Sequence, residues 1–326
     1  MNPSLKHTLL AAATVCLGLA AATAQAQTYP NRSLRLIVPF APGGTTDVVA
    51  RAVAAALTER LKQSVVVENR AGAGGIVGTD AVAKAPPDGY TVLLGSSGPL
   101  SFNPSLYAKL PYDPTHDFTP VGMICTSALV LVSGPRSELS SVGALIKAAK
   151  ASPGKYTYSS AGIGSATHVA TELFDSLAGI QTLHVPYKGS GPATIGVVAG
   201  ETSFSFTGQT LAWPLVTSGK LRAIAIASDH RSPEHPDVPT AAEAGVPGFE
   251  AADWDALLLP KGTPPAIVKR LNDELAALLK EPALKSALAA QGIETHFSTP
   301  EQLNTFMQAE IAKWAPVIKK ADIKLE

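Results

Sequence analysis

Ser165 and His168 are the one pair in this chain that could be nominated as nucleophile and base, because a helix would make residues three apart neighbours. A working hydrolase also needs an acid to orient the histidine, and none is evident beside His168. The sequence holds no G-x-S-x-G, and Gly162-Ile163-Gly164-Ser165 resembles such a nucleophile elbow only loosely. No G-x-x-x-x-G-K-[ST] is present to cradle a nucleotide phosphate. Gly72-Ala73-Gly74-Gly75-Ile76-Val77-Gly78 misses the dinucleotide fingerprint by one position. H-E-x-x-H is absent and the seven histidines are scattered, so no metal set is visible and no cofactor is expected. Binding, rather than catalysis, is the chemistry these residues favour.

Two glycine-rich loops supply it. In Pro39-Phe40-Ala41-Pro42-Gly43-Gly44-Thr45-Thr46-Asp47, glycines let a backbone approach a ligand, and Thr45 or Thr46 is expected to cap the following helix. Free N–H groups and the positive end of the helix dipole then favour an anion. The second loop, Ser159-Ser160-Ala161-Gly162-Ile163-Gly164-Ser165-Ala166-Thr167-His168, leads into a helix with hydroxyls and N–H donors of its own. His168 falls in the first turn there, where its expected role is to satisfy a buried loop carbonyl. Two helix N-termini across one cleft would clamp an anion better than either alone.

These loops need strands before them and helices after them, and the chain provides both. Apolar strands are expected at Leu34 to Phe40, Val65 to Val67 and Thr91 to Leu94. They alternate with helices at Thr46 to Leu61 and Gly75 to Lys84. Val49, Val53, Leu57 and Leu61 recur every fourth residue on one helix face. A second set follows, with strands at Ala128 to Val132, Tyr156 to Ser159, Leu183 to Val185, Phe204 to Phe206 and Leu221 to Ala227. Helices are expected at Ser141 to Ala151, Ser165 to Ala178 and Pro192 to Val198. Asp229 to Gly248 reads as a long connection, Trp254 to Leu259 as a further strand, and Pro264 to Lys280, Pro282 to Gln291 and Pro300 to Ala321 as closing helices.

The expected fold is α/β, with two lobes of the periplasmic binding protein kind, parallel-dominated sheets and a ligand cleft between the lobes. Ligands of open parallel sheets sit beyond the carboxyl ends of the strands, where both loops fall. The chain is expected to cross near Met123 to Ser127 and to return between Ser228 and Asp253. The first lobe would then comprise residues 27–126 and 251–326, and the second residues 127–250.

Residues 1–26 read as a secretory signal peptide. Lys6 and His7 precede an apolar run from Leu9 to Ala22, and Ala24-Gln25-Ala26 fits the cleavage pattern. Removing 26 of 326 residues leaves 300, enough for two lobes. Lys6 is the only basic residue lost, so 25 of the 26 Lys and Arg face 26 Asp and Glu. A near-neutral chain without a basic cluster argues against nucleic acid as a partner. Of two cysteines only Cys125 remains, which excludes an internal disulfide and a cysteine metal site.

Several sequence blocks resemble the tripartite tricarboxylate transporter receptors, the Bug family of extracytoplasmic solute-binding proteins. They include Val38-Pro39-Phe40 with Pro42-Gly43-Gly44 and Asp47, Glu68-Asn69-Arg70 with Gly72-Ala73-Gly74-Gly75, and Pro87-Asp88-Gly89-Tyr90-Thr91. Asn103-Pro104-Ser105-Leu106-Tyr107, His184-Val185-Pro186-Tyr187-Lys188-Gly189 and Asp237-Val238-Pro239-Thr240 continue the series. The resemblance implies a periplasmic two-lobed protein that closes on a small organic carboxylate and delivers it to membrane transporter subunits. It implies contacts from Phe40, Ala41, Gly43, Gly44, Thr45 and Asp47 in the first lobe. Ala161, Gly162, Ser165, Ala166, Thr167 and His168 would answer from the second, with Ser97 and Thr207 completing the site.

Where many relatives carry an acidic or amide residue, this chain has Thr207-Gly208-Gln209. A buried ammonium needs a carboxylate or strong acceptors, so the expected ligand has an uncharged or acidic distal group. Asp253 and Asp255 are the residues that could overturn this by turning into the cleft. The same fold could instead hand its closed state to a sensor protein, and a secreted hydrolase built on Ser165 and His168 is the remaining alternative. A monomer is expected.

Overall fold

A computed structural model describes residues 29–232 and 234–320. The signal peptide expected at residues 1–26 lies outside them. The first lobe opens with strand β1 (Leu34–Val38), helix α1 (Thr45–Leu61), β2 (Val65–Asn69), a 3₁₀ turn at Ala73–Gly75 running into α2 (Ile76–Ala83), and β3 (Thr91–Ser96). After β3 the chain winds through a π-helical turn at Gly98–Phe102 into the short α3 (Asn103–Leu106). Neither of these last two was expected. Strand β4 (Phe118–Ser133) runs on into the second lobe, which holds α4 (Val142–Ala151), β5 (Thr157–Ser160), α5 (Ala166–Ala178), β6 (Leu183–Pro186), α6 (Ser190–Ala199), β7 (Phe204–Gly208), α7 (Gln209–Thr217) and β8 (Arg222–Ile226). The chain returns on β9 (Ala252–Pro260) and ends with α8 (Pro265–Leu278), α9 (Pro282–Ala289), the two-residue β10 (Glu294–Thr295) and α10 (Pro300–Lys320).

The strands follow one path, β2-β1-β3-β9-β4-β7-β5-β6, with β8 and β10 also pairing β4. Between strands, parallel pairing joins β1 with β2 and β3, and β5 with β6 and β7, and Ile226 at the end of β8 adds an isolated parallel bridge to Thr240. The crossing strands β4 and β9 are antiparallel to each other and to their other neighbours, so the sheet is mixed rather than parallel throughout. β4 pairs with β9 as far as Ala128 and with β7 from Leu129 onward, which makes one strand a member of both lobes.

Each lobe has its own apolar core. Val49, Val53, Leu57 and Leu61 of α1 are buried against Leu34, Leu36 and Val38 of β1, as the four-residue spacing predicts. Burying each such side chain contributes about 1.5–3 kcal/mol. In the second lobe Phe174, Phe204, Phe206 and Phe249 pack together around Tyr158. Along β9 the faces alternate. Trp254, Ala256 and Leu258 meet the α2 side of the sheet, while Leu257 and Leu259 join the α1 side. Asp255 shares the parity of Leu257 and Leu259, and the Thr46 side chain in the first turn of α1 lies near its carboxyl.

Candidate functional site

The first loop delivers an open helix end. The N-cap of α1 is Gly44, and no side chain caps the first turn, so the expected cap by Thr45 or Thr46 does not form. Both threonines lie inside the helix instead. The N–H groups of Thr45, Thr46 and Asp47 are therefore left to the dipole end of the helix without an internal acceptor. Thr45 Oγ1 is itself buried with no hydrogen-bond partner. Asp47 stiffens this loop. Its carboxylate accepts from Gly43 N–H at 3.0 Å, from Arg51 Nε at 2.9 Å and from Asn69 Nδ2 at 2.9 Å. Burial opposes its ionisation, but the bonds from Arg51, Gly43 and Asn69 outweigh that and hold the carboxyl below its ordinary value. The Phe40 carbonyl accepts from Asn69 Nδ2 at 3.0 Å, so the two ends of the loop share one anchor.

The second loop has spent its donors on itself. Ala161 N–H donates to Thr167 Oγ1 at 2.9 Å, Gly162 N–H to Ser160 Oγ at 3.1 Å, and Ser165 N–H to the Gly162 carbonyl at 3.1 Å. Ser165 caps α5 by accepting from His168 N–H. His168 accepts at Nδ1 from Gly164 N–H at 3.2 Å, so it holds a loop amide rather than the expected carbonyl. Its ring stacks on His184 at 4.2 Å, and His184 stacks on Tyr158 at 4.7 Å. Burial drives the His168 pKa down to about 3, helped by His184, and that of His184 to about 4, so both rings are neutral. Among the described residues no hydrogen bond joins the Ser165 hydroxyl to the His168 ring, so no serine–histidine relay is assembled. Among the described residues of this loop, the N–H groups of Ile163 and of Ala166 and Thr167, first in α5, have no partner.

Glycines carry the contacts that each loop makes across the cleft. Ala41 N–H donates to the Lys188 carbonyl at 3.0 Å, and a Cβ on Gly189 would sit 3.2 Å from Ala41 N. A Cβ on Gly44 would stand 3.7 Å from Ser190 Cβ, and one on Gly208 only 2.1 Å from Thr45 Oγ1. Helices α6 and α7 start at Gly189 and Gly208 with no side-chain cap, so three glycine-headed helix ends meet at one place. On the other flank, a Cβ on Gly74 would fall 1.7 Å from the Ile163 carbonyl oxygen, and one on Gly98 2.8 Å from that of Gly164. The Gly72–Gly75 run, a failed dinucleotide fingerprint in the sequence, is thus a docking surface for the second loop. Gly74, Gly98 and Gly208 are not among the site residues the sequence points to, since only the tertiary structure shows what their bare backbones face.

Two side chains expected near the ligand are occupied. Thr207 Oγ1 lies 2.7 Å from Thr194 Oγ1, buried beneath α6. Gln209 gives its oxygen to Trp213 Nε1 at 3.0 Å and its amide to the Gly292 carbonyl at 3.2 Å, so it offers no acceptor to a ligand. Ser97 is fully buried and donates through N–H, at 3.3 Å, and Oγ, at 2.5 Å, to Asp253. Cys125 is buried, its Sγ 3.8 Å from Asp255 Oδ2, and burial pushes the thiol well up.

A family model described as "Tripartite tricarboxylate transporter family receptor" matches residues 49–323. The chain is 44% identical over 307 residues to "Protein BugT" of Bordetella pertussis, covering 94% of both chains. Among solved structures it is similar to "R. palustris Rpa4515 with adipate", at 38% identity and a TM-score of 0.87, covering 90% of this chain and 98% of that one. It is also similar to "MatC (Rpa3494) from Rhodopseudomonas palustris with bound malate", at 33% identity and a TM-score of 0.86, covering 89% of this chain and all of that one. Among the described residues no helix is long and apolar enough to cross a membrane.

Proposed function

Because the chain belongs to the tripartite tricarboxylate transporter receptor family, we propose that it captures a small organic carboxylate outside the cytoplasm and delivers it to the membrane subunits of such a transporter. The observation that carries this is the uncapped N-terminus of α1, whose first turn also holds the buried, unpartnered Thr45 Oγ1. Anions belong at such an end, because helix dipole and free donors act together. The relatives solved with adipate and malate support a carboxylate in that place.

In this reading residues 27–126 and 251–326 form one lobe and 127–250 the other, with closure about β4 and the start of β9. Phe40, Ala41, Gly43, Gly44 and Thr45 meet the ligand from the first lobe, and Ala166 and Thr167 from the second. Asp47, Ser165 and His168 hold the loops in shape. The protein works as a monomer in the periplasm, exported by the leader at residues 1–26, and turns nothing over. The Ser165 hydroxyl spent as a helix cap and the neutral, buried His168 both support a binding role.

Thermal shift against mono-, di- and tricarboxylates, with sugars and inorganic cations as controls, tests this. A rise in melting temperature with at least one carboxylate class and none of the controls is expected. Silence toward every carboxylate with a response to a sugar would overturn it.

A further inference from the structure

Two acids stand two residues apart on β9 where it crosses between the lobes, Asp253 opposite Ser127 and Asp255 opposite Cys125. They are engaged very differently. Asp255 is buried, lies near the Thr46 side chain and accepts from Cys125 Sγ–H on Oδ2, and its Oδ1 has no partner. Asp253 takes all its donors on one oxygen: Ser97 N–H, Ser97 Oγ–H and Trp254 N–H, at 3.3, 2.5 and 3.0 Å, all reach Oδ1. No protein donor reaches Oδ2, and the side chain keeps partial exposure although it lies deep in the molecule.

The position of Asp253 is defined from both sides. Through Asp255 and Thr46 it adjoins the first turn of α1. Through Ser97 and Gly98 it adjoins α5, since a Cβ on Gly98 would lie 3.1 Å from Ser165 Cα and 3.5 Å from Ala166 N. Asp253 therefore stands on the floor between the two helix ends that the carboxylate reading uses.

We infer that Asp253 Oδ2 accepts a hydrogen bond from an O–H or N–H of the ligand, making Asp253 the residue that selects hydroxy or amino carboxylates over plain ones. This rests on the carboxylate reading and adds a specificity to it. A ligand methylene placed against Oδ2 would strip water from the carboxylate and return nothing, and a second ligand carboxylate there would repel it. A hydroxyl or ammonium satisfies the oxygen. Thr207 and Gln209 do not compete for this role, since both are spent on other partners.

The test is calorimetric titration of the full chain and its Asp253→Asn variant with succinate, malate and aspartate. Asparagine keeps an acceptor for Ser97 and Trp254 and replaces Oδ2 by a donor. We expect wild type to bind malate, aspartate or both at least about ten-fold more tightly than succinate, the scale of one hydrogen bond to a charged group. Whichever of the two is preferred identifies hydroxyl or ammonium as the recognised donor. In the variant that preference should collapse while succinate binds at least as well as before. Equal wild-type affinity for all three, or an unchanged preference in the variant, would overturn the inference and leave carboxylate capture standing. If wild type binds none of the three or any other carboxylate, the underlying reading fails with it. Should the variant not fold, the wild-type ratios alone decide.

Discussion

The loops before α1 and α5 look alike as sequences and differ in what they leave open. Before α1, glycine occupies the cap, no side chain caps the first turn, and the buried Thr45 Oγ1 has no partner. Before α5, Ser165 caps the helix, and Thr167, Ser160, His168 and the Gly162 carbonyl absorb the loop amides. A glycine-rich loop running into a helix is thus either a receptor for an anion or a self-satisfied wall against which one is held. Whether serine or glycine stands at the cap separates the two here.

The largest effect we expect is on the wall, through its buried histidines. Unfolded histidine protonates near pH 6.5, whereas folded His168 and His184 resist until about 3 and 4. Below pH 6.5 the unfolded state therefore binds more protons, and stability falls as pH falls, by up to about 1.4 kcal/mol per pH unit for each ring. Asp175 acts in the opposite sense. Burial raises it to about 7, so it weakens the fold as pH rises from 3.8 toward that value. Burial raises Glu172, Asp253 and Asp255 as well, and they act in the same sense as Asp175, so the histidine contribution is read from the difference between wild type and a variant rather than from the net slope. Urea midpoints for wild type and His168→Asn at pH 7 and 4.5 check this. The variant should lose less on acidification, and an unchanged acid limb would mean the ring is not held neutral.

Next in size is the contact between the wall and the turn after β3. The Cβ of Gly98→Ala would stand 2.8 Å from the Gly164 carbonyl oxygen and 3.1 Å from Ser165 Cα, both on the opposite lobe. The open form proposed above would have room for it, so the melting temperature of the free protein should hold while closure fails. Overpacking of this kind costs about 1–3 kcal/mol, so affinity should fall roughly five- to a hundred-fold. Calorimetry with the best carboxylate reads it, and retained affinity would show that the turn after β3 and the second loop need not meet this closely.

Thr45→Val separates the two regions further. It removes a buried hydroxyl that has no partner in the free protein and keeps the shape. Stability should rise slightly or hold, while carboxylate binding weakens by roughly ten-fold, the scale of a hydrogen bond to a charged group. Unchanged affinity would place the anion away from α1. The smallest effect belongs to Ser165→Ala. Loss of the cap should cost about 1 kcal/mol of stability and leave affinity within a few-fold. A deep loss of affinity would mean that the Ser165 hydroxyl touches ligand.

Much of this arrangement was legible in the sequence. The apolar period of α1 and the glycines before it placed the receptor loop, because both signals are local. Strand β4 was expected only from Ala128 onward, whereas it begins at Phe118. Pro120 and Gly122 read as breakers, and pairing with β9 tolerates them through register shifts at Pro120/Gly122 and Met123/Cys125. Helix α7 was missed because Pro214 lies inside it and its nine residues carry little periodicity. The spent donors of the second loop were hidden for a different reason. Ser160, Thr167 and His168 are near in sequence, but only their folded directions reveal that they accept from the loop. Asp253 was flagged as able to face the cleft, while its division into one saturated and one open oxygen needed Ser97 and Trp254 in place.

The most direct measurement is a crystal structure of the protein with its best-binding carboxylate. We expect one carboxylate oxygen about 2.7–3.1 Å from Thr45 Oγ1 or from an N–H of the first turn of α1. A carboxylate bound elsewhere, with the α1 end filled only by water, would contradict the assignment of that helix as the receptor.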